Sequence, residues 1–159
     1  MLLARNKNAL GARENLESAE RFKADKDNKE RAGVFNNQAN ADLQARDFAK
    51  AAEIYKQAVS LDPTNPQWRY NYALALSSLG ELQAEESELE KSLQLDPTSA
   101  KAHNQLGLCF QSERKMAAAE EEFKKALELN PAYAEAENNL EAALQRAIAR
   151  GAARVLNAI

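Results

Sequence analysis

The sequence FAKAAEIYKQAVSLDP, residues 48–63, is written twice more at a constant interval. One interval later it becomes LQAEESELEKSLQLDP at 82–97, and two intervals later MAAAEEEFKKALELNP at 116–131. Each copy carries small or apolar residues at helical spacing and ends in a proline, at Pro63, Pro97 and Pro131. A period of this length, with a proline stop in every unit, is typical of a helical solenoid whose stacked units cover one another's apolar stripes.

The first half of each unit repeats as well. FNNQANADLQARDF begins at Phe35, RYNYALALSSLGEL at Arg69 and HNQLGLCFQSERKM at His103. Together the two halves resemble the tetratricopeptide repeat family, whose pattern is a large residue, Leu-Gly, an aromatic, Ala, a second aromatic, Ala and Pro. The resemblance implies an all-α fold, a right-handed α-solenoid of helix-turn-helix units. We place an N-terminal helical arm at 1–31, repeats at 32–65, 66–99 and 100–133, and a C-terminal capping helix at 134–159.

The repeats depart from the family pattern at three places. Gln38-Ala39 and Tyr72-Ala73 replace the Leu-Gly of repeats one and two, and Glu85 stands where a small residue is usual. We therefore expect slightly looser packing within these two helix pairs.

The N-terminal arm matches no repeat. A partial helical stripe runs from Leu10 to Phe22, and an almost wholly charged stretch then leads to Arg31. These features predict a helix from about Leu10 to Phe22, extended towards Arg31, that covers the open end of repeat one.

The turns between paired helices differ in their residues. Asp47 can cap the second helix of repeat one by accepting from free amide groups. A proline-rich segment after Leu61 ends that helix, and Gly80 provides the turn of repeat two. In repeat three Ser112, Glu113 and Arg114 replace the glycine, which the turn tolerates if none of them adopts a positive φ.

Composition favours one all-α domain: the chain has 159 residues, 45% hydrophobic and 28% charged, with a net charge of -3. Residues 1–31 carry eight basic and six acidic side chains, whereas the three repeats carry ten basic and fifteen acidic. No basic face interleaved with aromatic residues appears, so no nucleic-acid partner is expected. The chain offers no apolar run long enough for a membrane span or a signal peptide. We therefore expect a cytoplasmic location, unless an export signal has been removed, and no membrane partner.

The sequence contains no arrangement of residues typical of an enzyme. Its single cysteine, Cys109, lies between apolar neighbours and favours a small buried side chain, since one cysteine forms no intramolecular disulfide. Its single histidine, His103, occupies the large-residue position of repeat three and is expected to pack between helices. Two such residues make a zinc site improbable, and the glycines are too scattered to form a phosphate loop. We expect no catalytic residue, metal or cofactor.

Four primary amides occupy the sixth position of successive first helices, at the same constant interval: Asn37, Asn71, Gln105 and Asn139. A primary amide both donates and accepts, so a row of them can pair with a peptide backbone whatever its side chains. The row resembles the asparagine ladder in the repeats of O-linked N-acetylglucosamine transferases, which grips extended peptide. The predicted peptide-binding site adds residues from the same faces, with an apolar strip of two leucines: Asn36, Asn40, Tyr70, Leu74, Lys101, Asn104, Leu108 and Asn138.

A second resemblance is incomplete. Chaperone-binding tetratricopeptide domains clamp a C-terminal carboxylate with two asparagines and several basic residues, and Asn40, Asn71 and Lys101 match three of those positions. Asn36 and Gln105, however, stand where basic residues belong. Most of the charge-assisted hydrogen bonding of such a clamp is therefore lost, and we do not expect binding to chaperone tails.

The final helix carries apolar residues beyond the length that repeat three can cover: Leu144, Ile148, Val155 and Ile159. An unpaired apolar stripe of this kind is a candidate contact surface. The favoured hypothesis is a scaffold for protein or peptide partners that holds an extended segment in the groove of first helices. Two alternatives remain open: a homo-oligomeric structural module assembled through the final helix, and the interaction arm of a larger enzyme.

Overall fold

The computed structural model describes the backbone of residues 2–156 and the side chains of residues 13–149, and within these it contains only helices and their connections. Each helix packs against the next, α1 also contacts α3, and α5 also contacts α7. The result is the expected all-α solenoid. Its helices are α1 (Leu2–Gln44), α2 (Phe48–Leu61), α3 (Pro66–Leu79), α4 (Leu82–Leu95), α5 (Ala100–Ser112), α6 (Met116–Leu129) and α7 (Ala134–Leu156).

The core repeats with the sequence. Tyr55, Leu89 and Phe123 occupy equivalent positions of α2, α4 and α6, and all three are fully buried. Small residues face them, which lets paired helices approach closely. At Gly107 the approach is closest, because an added Cβ would lie 2.5 Å from Cε1 of Phe123. In repeat three the ring of Phe123 is thus accommodated by the glycine that faces it.

Two of the predicted turn features are confirmed, and the condition stated for the third turn is not met. The Asp47 side chain accepts from Lys50 N, and Gly80 has a left-handed φ of 75°. The lack of a glycine in the third turn would be free of strain only without a positive φ, but Arg114 has φ 64°, and Arg46 in the first turn has φ 61°. The short link between antiparallel helices requires a left-handed residue after the last helical turn, and the chain places an arginine there at some strain.

The N-terminal arm is helical as predicted but differs in its extent and its contacts. The predicted helix from Leu10 towards Arg31 is part of α1, which begins at Leu2 and runs without a break into repeat one, ending at Gln44. Between Arg13 and Arg31 nearly every side chain is exposed, so this stretch leaves the open end of repeat one uncovered. No proline or capping glycine stands before the first repeat to end the helix, and exposed i,i+4 ion pairs such as Asp25–Lys29 support it.

A polar triad replaces the large apolar residue at the start of repeats two and three. In repeat two Arg69 donates to Glu88 at 2.8 Å and to the carbonyl of Pro63, and Lys91 pairs with the same carboxylate. The same arrangement recurs one period later. His103 lies 2.6 Å from Glu122, its Nε2 faces the carbonyl of Pro97, and Lys125 also pairs with Glu122.

The triad of repeat three makes stability depend on pH. The hydrogen bond to Glu122 raises the pKa of His103 above its ordinary value, although burial opposes it. The imidazolium therefore stabilises the fold fully below its unfolded pKa of about 6.5, and this contribution disappears as pH rises through the raised folded value.

We expect the His103→Arg variant to remove this pH dependence, because guanidinium stays charged and Arg69 already fills the equivalent place in repeat two. Wild type should lose about 1 kcal/mol of unfolding free energy between pH 6 and pH 9, and the variant much less. Urea unfolding at several pH values measures both, and His103 is the sole histidine of the chain. Superimposable pH profiles for the two proteins would contradict the assignment.

Candidate functional site

The first helices α1, α3, α5 and α7 bring the predicted amides onto one surface, which we call the first-helix face. Asn71 Nδ2 donates to Asn36 Oδ1 at 2.9 Å, and Asn139 Nδ2 donates to Asn104 Oδ1 at the same distance. Each bond joins the sixth position of one repeat to the fifth position of the repeat before it. The amides therefore form two cross-helix pairs, in which Asn36 and Asn104 are buried and their partners are half-buried.

Gln105 breaks this pattern for a reason visible in the sequence. The fifth position of repeat two is Tyr70 rather than an amide, so Gln105 has no carboxamide to pair with. It turns instead towards α4, where its Nε2 donates to Glu85 Oε1 at 2.7 Å and approaches Ser77 Oγ at 3.3 Å. One of the four predicted ladder amides is thus engaged by a buried carboxylate.

The remaining predicted residues differ in accessibility. Asn40 accepts at 2.6 Å from the hydroxyl of Tyr55, so its side chain serves the packing of α1 against α2. Leu74 and Leu108 are half-buried. Three predicted residues are exposed to solvent: Asn37, Lys101 and Asn138.

The predicted residue Asn104 belongs to a polar cluster at one end of the face, together with Tyr133 and Glu135, which sequence reasoning missed. We call this cluster of three residues the tyrosine corner. Asn104 Nδ2 lies 3.4 Å from Glu135 Oε1 and 3.5 Å from the Tyr133 hydroxyl, which lies 3.5 Å from Glu135 Oε2. Burial raises the pKa of Tyr70 to about 12, and the nearby Tyr133 and Glu135 add to the shift. The sequence could have indicated Glu135, because it lies one period after Lys101, which was a predicted site residue.

Glu85 is the least expected buried group, with 1% of its surface exposed. Its Oε1 accepts from Gln105, whereas Oε2 is buried without a hydrogen-bond partner. Burial raises the pKa of this carboxyl group, against the lowering effect of Gln105 and Ser77. Burial, together with the neighbouring Glu85, raises the pKa of the Cys109 thiol to about 12, so this cysteine is an unreactive core residue.

Among the described side chains, no group of three or more His, Cys, Asp or Glu residues is placed to hold a metal ion. No helix in the same part of the chain has the length and hydropathy of a membrane span.

The predicted self-association stripe is only partly described. Ile148 is 72% exposed and Leu144 is 40% exposed on α7. Val155 lies in the same helix, but its side chain is outside the described set, and Ile159 lies outside the described residues altogether.

Comparisons with known proteins agree with the repeat fold. Two family models, each described as tetratricopeptide repeat, match residues 36–100 and 100–133. The first such domain of Spaghetti (RPAP3), bound to the HSP90 peptide SRMEEVD, has a TM-score of 0.74 and 25% identity, covering 76% of this chain and 95% of that one.

Two further solved structures are similar to the same extent. The OM64 domain of Arabidopsis gives a TM-score of 0.73 at 25% identity, covering 75% of this chain and 98% of that one. The Sgt2 domain of Aspergillus fumigatus gives 0.73 at 25% identity, covering 76% and 82%. The likeness therefore extends over about three quarters of this chain.

Proposed function

Because the chain belongs to the tetratricopeptide repeat family, we propose that it is a binding scaffold that holds an extended segment of a protein or peptide on its first-helix face. The observation that carries the proposal is the pair of cross-helix amide bonds, Asn36–Asn71 and Asn104–Asn139. A carboxamide has two donors and two acceptor lone pairs. Each bond uses one donor and one acceptor, and Asn71 Oδ1 also accepts from Gln67 Nε2 at 2.8 Å. Asn71 and Asn139 each keep one donor and at least one acceptor lone pair for a peptide backbone, in an orientation that the cross-helix bond fixes.

The proposed contacts form two separate amide pairs rather than a continuous ladder of four. We call the pairs Asn36–Asn71 and Asn104–Asn139 the two amide stations. Gln105 lies between them but is held by Glu85 at 2.7 Å. Half-buried Leu74 and Leu108 offer apolar contact on the same face. Because most contacts are neutral hydrogen bonds that replace bonds to water, we expect modest affinity that changes little with salt.

The ligand we propose is not the acidic tail bound by the RPAP3 domain. A carboxylate clamp needs cations where this chain has Asn36 and Gln105, and both amides are already engaged within the fold. Of the matching polar residues, Lys101 alone is cationic. The peptide SRMEEVD therefore serves as a negative comparison in the experiment below.

The test is selection from a phage-displayed library of random decapeptides, followed by measurement of Kd for synthetic binders. We expect Asn71→Ala combined with Asn139→Ala to weaken the selected peptides about tenfold, since each lost hydrogen bond contributes roughly 1 kcal/mol. Gln83→Ala with Gln94→Ala, which removes two exposed amides of α4, is the matched control.

Stability must be followed in parallel, because the double variant leaves buried Asn36 and Asn104 without their donors. Circular dichroism melting checks that the variant is folded at the assay temperature. Asn37→Ala, at an exposed position of the same face, supplies a second test with little structural cost. Equal Kd values for wild type and both face variants would refute the proposal, as would selected peptides that bind no more tightly than SRMEEVD.

Self-association through α7 is a second candidate, favoured by the 72% exposure of Ile148. We expect Ile148→Glu with Val155→Glu, or truncation after Arg146, to convert an oligomer into a monomer. A charged residue on an apolar contact surface costs several kcal/mol unless it is paired. Light scattering over a range of concentrations measures the molar mass, and a wild-type chain that stays monomeric at high concentration would rule this function out.

A further inference from the structure

The tyrosine corner differs in charge from the rest of the first-helix face. We propose that Tyr133 and Glu135 bind a basic side chain, lysine or arginine, of the segment held there. This inference rests on the proposed function and specifies the chemical class of its ligand.

The Glu135 carboxylate has unused capacity to accept hydrogen bonds. Its two contacts, to Asn104 Nδ2 at 3.4 Å and to the Tyr133 hydroxyl at 3.5 Å, lie at the long end of the hydrogen-bonding range. Glu135 is exposed, and within the described part of the chain no lysine or arginine forms an ion pair with it. The Glu85 carboxylate, by contrast, is buried and beyond the reach of a ligand. A ligand cation is therefore the strongest partner available to Glu135.

The ring of Tyr133 completes the corner. Ammonium and guanidinium groups are attracted to the faces of aromatic rings, and the attraction adds to that of a nearby carboxylate. The Tyr133 hydroxyl lies 3.5 Å from Glu135 Oε2, so the ring and the carboxylate are neighbours. Tyr70 packs on the core of repeats two and three, and the recess of about 210 Å³ that it lines contains Asp96 but neither Tyr133 nor Glu135. We therefore assign it no contact with the ligand cation.

Asn104 fixes the corner in register with the amide stations. Its Oδ1 accepts from Asn139 while its Nδ2 points to Glu135 and Tyr133, and it is 2% exposed. A segment whose backbone pairs with Asn139 would therefore place a neighbouring side chain at Glu135, one helical turn away on α7.

Lys101 occupies the equivalent position one period before Glu135. It is exposed and carries its charge on a flexible stem, so it can move away from a bound cation at little cost. The pair Lys101 and Glu135 also gives a matched comparison, because each variant changes one charge at the same position of adjacent repeats.

The test uses the random decapeptide library with wild type, Glu135→Gln and Lys101→Gln. We expect peptides selected by wild type and by Lys101→Gln to be enriched in Lys or Arg at one aligned position, and those selected by Glu135→Gln to lack this enrichment. Replacing that basic residue with Gln in a synthetic binder should weaken binding to wild type about fivefold, and to Glu135→Gln less than twofold. Tyr133→Leu, which removes the aromatic ring, should also reduce the loss of affinity caused by replacing the basic residue of the peptide.

The outcomes separate this inference from the proposed function. Selected peptides without a basic preference, or a preference that persists in Glu135→Gln, would overturn the inference while leaving the scaffold function intact. Failure of wild type to select any peptide above the background of the Asn71→Ala, Asn139→Ala variant would overturn both.

Discussion

Replacing Gly107 with alanine is expected to lower the free energy of unfolding by about 1–3 kcal/mol, the cost of overpacking a dense core. The new Cβ would lie 2.5 Å from Cε1 and 2.6 Å from Cδ1 of Phe123. The ring is fully buried and packed against Ala119 and Ala143, so it has no space to move into. Urea unfolding monitored by circular dichroism measures the loss.

A second substitution, taken from repeat two, is expected to restore the stability lost in Gly107→Ala. Repeat two has Ala73 and Leu89 where repeat three has Gly107 and Phe123, so the double variant Gly107→Ala, Phe123→Leu copies a pair that already packs. We expect the double variant to be at least about 1 kcal/mol more stable than the sum of the single changes predicts, because the side chains are in contact. Strict additivity would show that the ring adjusts and that the close approach does not limit stability.

Gly33 is the matched control for this experiment. It also lies inside a helix, but nothing comes within 4 Å of a Cβ added there. Gly33→Ala should therefore stabilise the protein by about 0.5–1 kcal/mol through helix propensity alone. Changes of opposite sign in the free energy of unfolding for Gly107→Ala and Gly33→Ala would separate the packing effect from the backbone effect.

Replacing Glu85 with glutamine is expected to stabilise the protein by about 1–3 kcal/mol at pH 7, since it removes a buried charge with one unpartnered oxygen. Burial raises the pKa of Glu85. A raised folded value means that wild type is most favoured below the unfolded pKa and loses stability as pH rises through the folded value. The advantage of the variant should accordingly vanish near pH 4 and grow towards neutrality.

Glu90→Gln, at an exposed position of the same helix, should show neither the gain nor the pH dependence. Chemical unfolding of the three proteins from pH 4 to pH 8 provides the comparison. A Glu85→Gln variant less stable than wild type at pH 7 would contradict this prediction, because the charge-assisted bond from Gln105 would then outweigh the desolvation of the carboxylate.

Glu85 affects both the stability of the fold and the surface that carries the proposed scaffold function. It occupies the position that is Ala51 in repeat one and Ala119 in repeat three, both fully buried. By holding Gln105, it removes one amide from the first-helix face and divides the remaining amides into two stations. Under the proposed function, a residue in the core would thus determine which polar groups a partner meets on the surface.

The sequence alone determined the number, order and approximate bounds of the repeat helices. Its constant period, the Asp47 cap, Gly80 and the three prolines are local signals, and each acts within a few residues of its own position. The same period also indicated which residues share the first-helix face, because equivalent positions of stacked repeats lie side by side.

The tertiary structure decided the details that depend on partners distant in sequence. Whether Asn71 or Gln105 pairs with an amide depends on the residue 35 positions earlier, and the Glu85 contact depends on how α4 and α5 pack. The tyrosine corner likewise brings a side chain of α5 together with side chains at the start of α7. The uninterrupted α1 was missed because a helix ends only where a stop signal acts, and the repeat boundary at residue 32 supplies none. The repeat period and the helix propensities of the residues determine the backbone. The orientation of a polar side chain depends instead on which donor or acceptor lies within hydrogen-bonding distance once the helices have packed.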